Sequence, residues 1–180
     1  MQKFRNTKTI TVIGMLTAVS VILGYLKIPV TSLIEIRFTN LPIAVGGALL
    51  GPVAGGLVGA LSDIVQYLAK PTGPFFPGFT ISSCVTGIIF GLVLKSKNEP
   101  ASSISIKRII LAEVLVTLLV SLPLNSLWLS MLYGNGFIAV LSSRLLKELV
   151  MFPINTVLLT AVIKPVGRFN KLFLPISVKK

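Results

Sequence analysis

The chain has 180 residues, of which 53% are hydrophobic and 12% charged, and its mean hydropathy is +0.91. A water-soluble domain usually carries about twice that share of charged residues, so the composition favours a polytopic membrane protein. The absence of His excludes histidine catalysis and histidine metal ligation, and the single cysteine, Cys84, excludes an intrachain disulfide and a cysteine zinc site. No GxxxxGK[ST] motif is present, so we expect no ATP hydrolysis by a P-loop.

The apolar segments, taken in chain order, predict an all-α membrane protein with six transmembrane helices. A helix needs about 20 mostly apolar residues to cross a bilayer. We predict spans over residues 9–27, 40–51, 52–69, 78–95, 107–132 and 137–163. The first is an uncleaved span rather than a signal peptide, because Lys27, Ile28 and Pro29 follow it in place of a small-residue cleavage site. All six spans form one membrane domain that covers residues 1–180.

The number of spans depends on the stretch that ends at Ala69, which is either one long helix or two short ones separated at Pro52. Twelve of the 17 basic residues lie in three clusters: near the N-terminus, between residues 95 and 108, and after residue 163. Cytoplasmic loops carry an excess of Lys and Arg, and only six spans place all three clusters on that side. We therefore predict cytoplasmic termini, outer loops at 27–40, 70–77 and 133–136, and second and third spans that are too short to cross unaided.

Small residues recur at a spacing that brings helix backbones together. Gly47, Gly51, Gly55 and Gly59 predict close packing inside the hairpin of the second and third spans. The first span carries its own pair, Gly14 and Ala18, on an otherwise plain aliphatic face. A contact with another protein is the more credible interpretation of that second pair.

Ionisable residues in the last span indicate an internal site, because such residues are costly in lipid. Arg144, Lys147 and Glu148 share one helical face, with Asn155 further along it. Two bases beside one acid predict a surplus of positive charge that an anionic ligand would complete, and a guanidinium suits a carboxylate. A simple ion pair between Arg144 and Glu148 is the competing interpretation.

Other polar and aromatic residues gather near the predicted outer surface. A flat ring could stack on three phenylalanines before the fourth span, although an interfacial aromatic belt is an alternative. Asp63 could equally pair with Lys70, and the first outer loop could simply be solvated. The candidate ligand-binding residues are Arg37, Asp63, Tyr67, Phe75, Phe76, Phe79, Thr80, Asn125, Trp128, Arg144, Lys147 and Asn155. No nucleophile–base pair accompanies them, so we expect binding without catalysis, cofactor, metal or nucleic acid.

Several motifs in this sequence resemble a known family, the S components of energy-coupling factor (ECF) transporters. The family resemblance rests on the run 40–43 (NLPI), on Gly51-Pro52 followed by Ala54-Gly55, and on Ser62-Asp63. Two further runs, 77–82 (PGFTIS) and 144–148 (RLLKE) with 153–155 (PIN), are similar to the folate-specific branch. The resemblance covers nearly the whole chain. Its motifs identify S components as a class more clearly than they separate the folate, pantothenate and pyrimidine-precursor branches.

The resemblance implies a vitamin-binding subunit in a bacterial cell membrane, with no ATPase of its own. Its partners would be an ECF module, made of a transmembrane coupling protein and two ATP-binding-cassette ATPases, and the membrane lipid. Toppling of the subunit would carry the pocket from outside to inside. The family's Ala-xxx-Ala contact on the first helix corresponds here to Gly14 and Ala18, and the glycine departs from that pattern.

Folate agrees with the candidate residues better than pantothenate, which would supply one carboxylate and no ring. Its pterin ring could stack on the phenylalanines or Trp128 and bond through its edges to Asp63, Asn125 or Asn155, while Arg37, Arg144 or Lys147 could bind the two carboxylates of its glutamate tail. Pantothenate or hydroxymethylpyrimidine is the alternative within the family. A membrane-embedded lipid-modifying enzyme and a purely structural subunit are the alternatives outside it, although the scattered acids do not favour metal-dependent chemistry.

Overall fold

The computed structural model describes residues 7–25, 27–29, 35–71, 74–95, 104–134 and 136–168. These residues form six helices and one short β-hairpin. The helices are α1 (Thr7–Tyr25), α2 (Asn40–Leu50), α3 (Pro52–Ala69), α4 (Pro77–Leu94), α5 (Ile106–Tyr133) and α6 (Phe137–Arg168). Each begins within about two residues of its predicted position, because the prolines and charges that bound the apolar stretches also bound the helices.

Five of these helices are long and apolar enough to cross a membrane, and α2 is not, since it has only 11 residues. The prediction that the third span is also too short is wrong, because α3 has 18 residues and meets the length and hydropathy of a spanning helix. The break between α2 and α3 lies where it was predicted. Gly51 adopts a φ of 106° there, which favours glycine, and Pro52 occupies the first turn of α3.

The β-hairpin lies in what the sequence predicts as a polar outer loop. Strand β1 (Lys27–Pro29) pairs antiparallel with β2 (Glu35–Arg37), and Ile28 is opposite Ile36. The sequence did not indicate it, because strands of three residues carry almost no periodic signal. The hairpin connects the end of α1 to the start of α2.

Helix α5 changes its winding in the middle. Ile106–Val116 is α-helical, Thr117–Leu124 is π-helical, and Asn125–Tyr133 is α-helical again. Pro123 lies inside the π-helical segment and has no N–H to donate to the preceding turn. Segments of this kind are rare and occur often at functional sites.

Glycines bring α2 and α3 against α4. A Cβ on Gly47 would lie 2.7 Å from the backbone nitrogen of Gly91, and one on Gly55 would lie 2.5 Å from the carbonyl oxygen of Gly87. The prediction of close internal packing is therefore confirmed, but α4 joins the predicted hairpin as a third partner. Backbones this close leave no room for any side chain larger than hydrogen.

The largest side chains of the apolar core lie at one end of the bundle. Five of the largest that are at most 2% exposed come from the C-terminal part of α4, the start of α5 and the C-terminal half of α6: Phe90, Leu94, Ile109, Leu159 and Ile163. A smaller buried cluster joins α1, α2 and α3 through Ile13, Ile43, Ala54 and Val58. Since neighbouring helices alternate in direction, the segments of α4, α5 and α6 meet at the same end, which we call the closed end. The opposite end of the bundle stays open and contains a cavity.

Candidate ligand-binding site

The cavity at the open end has a volume of about 570 Å³ and is lined by all six helices. It receives the C-terminal ends of α1 and α3, the N-terminal ends of α2 and α4, and the facing parts of α5 and α6. Nine of the predicted site residues line it: Asp63, Tyr67, Phe75, Phe76, Phe79, Asn125, Arg144, Lys147 and Asn155. The size is within the range of about 300–1,000 Å³ that is usual for small-molecule sites.

One face of α6 provides a polar stripe along the cavity. Arg144, Lys147, Glu148, Met151 and Asn155 all line it, because they are spaced three or four residues apart. The stripe extends about 16 Å along the helix axis from its first to its last residue. Both basic side chains interact favourably with the Glu148 carboxylate.

The π-helical segment of α5 leaves a backbone carbonyl oxygen available to accept a hydrogen bond from Arg144. The backbone N–H of Asn125 donates to the carbonyl oxygen of Val120, five residues back, rather than to that of Ser121 as it would in an α-helix. The Ser121 carbonyl oxygen instead accepts a hydrogen bond of 3.2 Å from Nη1 of Arg144. The Ser121 side chain lies close enough to the Glu148 carboxyl group to interact with it. The change in winding thus orients the basic residue toward the cavity wall.

Asp63 lies on α3 and is held by α4. The Thr80 hydroxyl donates to Oδ2 of Asp63 at 2.6 Å. Thr80 itself is not part of the cavity lining, so its described role is to position Asp63. Lys70, the alternative partner considered for Asp63, also lines the cavity near the end of α3.

Aromatic side chains surround the mouth of the cavity. The Phe76 ring is 6.1 Å from Phe79 and 5.6 Å from Trp128 between centroids, and Tyr67 is 5.0 Å from Phe75. Trp128 is not in the cavity lining; its Nε1 donates to the Ser82 hydroxyl at 3.1 Å and its ring supports Phe76. The predicted aromatic wall is therefore present, with Trp128 behind it.

The deepest part of the cavity contains an acid that the sequence analysis did not include among the site residues. Glu113 on α5 is 3% exposed, lines the cavity and interacts with the Asn155 side chain on α6. The sequence did contain an indication of this site, because Glu113 is the single acid in a long uncharged stretch and an ionisable residue within a span usually marks an internal site. Gln66 was also missed, and it fits against α1 because a Cβ on Gly24 would overlap its amide group.

The charges of the lining are balanced in number. In the described part of the chain, three bases and three acids line the cavity: Lys70, Arg144 and Lys147, and Asp63, Glu113 and Glu148. The predicted surplus of positive charge is thus absent from this part of the lining. Glu113 is the most buried of these six residues, and Lys70, directly after the end of α3, is the most exposed.

Besides Thr80 and Trp128, three further predicted residues lie away from this cavity or outside the described side chains. The backbone of Arg37 is in β2, and its side chain lies outside what the structure describes. Gly14 and Ala18 are exposed on the outer face of α1, and a Cβ on Gly14 would have nothing within 4 Å.

Comparison with known proteins matches residues 8–163 to the family described as "ECF transporter, substrate-specific component". The chain belongs to this family. As a substrate-specific component, it is a substrate-binding subunit of a membrane transporter rather than an enzyme, so the lipid-modifying enzyme considered above is not retained.

This substrate-specific component has relatives with a named substrate. It is 37% identical over 140 residues to the folate transporter FolT of Clostridium novyi (strain NT), covering 78% of each chain. It is 28% identical over 155 residues to FolT of Leuconostoc mesenteroides, covering 83% of this chain and 81% of the relative.

Solved structures show the same architecture. A crystal structure of FolT bound with folic acid has a TM-score of 0.77 and 32% identity, covering 90% of this chain and 98% of that one. The S component for biotin has a TM-score of 0.68 and 23% identity, covering 97% of this chain and all of that one, and it supports the fold alone.

Proposed function

We propose that this chain is a folate-binding S component that captures folate in the cavity at the open end of its bundle. The observation that carries the proposal is the similarity to FolT bound with folic acid, together with a cavity that combines aromatic faces with Arg144 and Lys147. Binding without chemistry is consistent with a family of transport subunits.

Each part of folate has suitable partners in the lining. The two carboxylates of the glutamate tail fit Arg144 and Lys147, since a guanidinium can bind a carboxylate through two parallel hydrogen bonds. Phe75, Phe76 and Phe79 provide faces for a flat ring. Asp63 offers an acceptor for polar groups of the ligand, and Arg37 remains a candidate for the tail.

The open end of the bundle faces the outside of a bacterial plasma membrane in this proposal, and both termini are cytoplasmic. Lys95, Lys107 and Arg108 lie beside the closed end, at the end of α4 and the start of α5, as the positive-inside rule requires of a cytoplasmic side. A C-terminal green fluorescent protein fusion should therefore fluoresce, and a C-terminal alkaline phosphatase fusion should be inactive. The reverse pattern would contradict the orientation.

The subunit works in this proposal with an ECF module of one coupling protein and two ATP-binding-cassette ATPases, surrounded by lipid. The exposed small residues Gly14 and Ala18 support a close helix–helix contact with the coupling protein. Toppling of the subunit in the membrane would then bring the cavity from the outer to the inner side.

The decisive experiment is isothermal titration calorimetry of the purified protein in detergent. We expect saturable binding of folic acid with one site per chain, and at least about 100-fold weaker binding of pantothenate and hydroxymethylpyrimidine. Tight binding of either alternative with no binding of folic acid would assign the subunit to another branch of the family. No binding of any of the three would favour a structural subunit.

A further inference from the structure

The innermost polar group of the cavity has an unused hydrogen-bonding atom. Glu113 is 3% exposed, and its Oε2 has no hydrogen-bond partner among the residues that the structure describes. The carboxyl group lies close enough to the Asn155 side chain of α6 to interact with it. Leaving a buried carboxyl oxygen without a donor is costly, so the site lacks a donor that a ligand in the cavity can provide.

The surroundings of Glu113 suit the edge of a flat ring. Val116 and Met151 line the same deep part of the cavity and are 3% and 5% exposed, so the acid and the Asn155 amide are set among apolar side chains. Small-molecule sites commonly combine apolar walls with a few polar groups that fix orientation. An acceptor in such a place selects a ring edge that carries N–H donors.

The carboxyl group of Glu113 also determines which end of the ligand reaches the deep part of the cavity. A carboxylate tail would bring only acceptor oxygens there, whereas Arg144 and Lys147 lie about 16 Å and about 12 Å from Asn155 along α6. A ligand with a donor-rich ring at one end, a spacer and a carboxylate tail at the other end matches this order.

We propose that Glu113, beside Asn155, accepts hydrogen bonds from the N–H donors of the pterin ring and so fixes both the selectivity and the orientation of the ligand. This proposal rests on the proposed folate-binding function. The relevant donors are the exocyclic 2-amino group and the neighbouring ring N–H. The pterin then lies deeper than Phe75, Phe76 and Phe79, whose faces remain for the p-aminobenzoyl ring of folate, and the tail points toward the mouth.

Calorimetry with two ligands and two variants tests this assignment. The ligands are folic acid and its 2-deamino-2-methyl analogue, which lacks the exocyclic donor. Glu113→Gln keeps the shape of the side chain and replaces one acceptor oxygen with a donor. Ser126→Ala is the matched control, because Ser126 is a fully buried polar residue on the same helix that does not line the cavity.

We expect Glu113→Gln to weaken folic acid at least about 10-fold and to change binding of the analogue by no more than about threefold. The wild type should bind the analogue at least about 10-fold more weakly than folic acid. Ser126→Ala should stay within about twofold of the wild type for both ligands. Binding of p-aminobenzoylglutamate, which lacks the pterin, should differ between Glu113→Gln and the wild type by no more than about threefold.

The outcomes separate this inference from the proposed function. If the wild type does not bind folic acid, the proposed function fails and the role of Glu113 fails with it. If the wild type binds folic acid but Glu113→Gln binds it equally well, or weakens both ligands to the same degree, only the role of Glu113 is overturned. Should Glu113→Gln not fold, the wild type decides alone, and equal affinity for folic acid and its analogue overturns the assignment.

Discussion

At the residue scale, the function depends on where Arg144 directs its guanidinium. Its Nη1 is 3.2 Å from the Ser121 carbonyl oxygen and it lines the cavity beside Lys147. We expect Arg144→Ala to weaken folic acid about 10- to 100-fold, because a hydrogen bond to a charged group contributes about 1.5–3 kcal/mol. Calorimetry should show a much smaller loss, within about threefold, for a pterin without the glutamate tail.

Lys107→Ala is the control for that variant, since Lys107 is an exposed base at the start of α5 outside the cavity lining. It should bind both ligands as the wild type does. Equal losses for folic acid and the tail-less pterin in Arg144→Ala would show that the residue holds the cavity together instead of binding the tail.

Most of the cavity residues could be predicted singly, but their grouping could not. Arg144 and Lys147 were identifiable because ionisable side chains in an apolar span cannot face lipid. Glu113 satisfies the same rule, yet its direction depends on Asn155 of another helix, and no sequence spacing encodes that contact. Thr80 and Trp128 are also predicted ligand-binding residues, and the structure places them behind the cavity lining, in contact with Asp63 and Phe76 respectively.

At the element scale, the close approach of α3 and α4 makes one glycine much more sensitive than another. A Cβ on Gly87 would overlap the Gly55 carbonyl oxygen, whereas a Cβ on Gly14 would meet nothing within 4 Å. Overpacking of this kind costs about 1–3 kcal/mol, so Gly87→Ala should lower the unfolding temperature of the ligand-free protein by at least about 2 °C. Gly14→Ala, the matched control, should leave it unchanged or raise it by a few degrees, because Ala has the higher helix propensity. Similar thermal unfolding curves for both variants would contradict the packing described here.

Helix boundaries were predictable because proline, glycine and charge interrupt the apolar stretches at Pro52, Pro77 and Lys95. The helix that packs against the glycines of α2 and α3 was not predictable, because residue spacing shows that a helix face packs closely but does not show which helix it packs against. The π-helical segment was also missed. Pro123 indicated an irregularity in α5, but the shift of a single hydrogen bond to a residue five positions back leaves no periodic trace.

At the scale of the whole molecule, the bundle is packed at one end, hollow at the other and exposes small residues on one side. If those small residues dock on a coupling protein, Ala18→Leu should reduce folate uptake by the assembled transporter at least about 10-fold. Folate affinity of the isolated subunit should stay within about twofold, because Ala18 is exposed on α1 away from the cavity.

Ala161→Leu provides the comparison, since Ala161 is exposed on α6 and also gains three carbons. Its uptake should remain near that of the wild type. Normal uptake in Ala18→Leu, measured with radiolabelled folate in cells, would remove α1 as the docking helix.

The chain contains one tryptophan, and its ring packs 5.6 Å from Phe76 at the mouth of the cavity. All indole emission therefore comes from this single place, one aromatic layer away from the occupant. An arriving ligand that displaces Phe76 or absorbs in the near ultraviolet will alter that emission. Ligand binding and release can therefore be followed in stopped-flow experiments by the intrinsic tryptophan fluorescence of the native protein, without any attached dye.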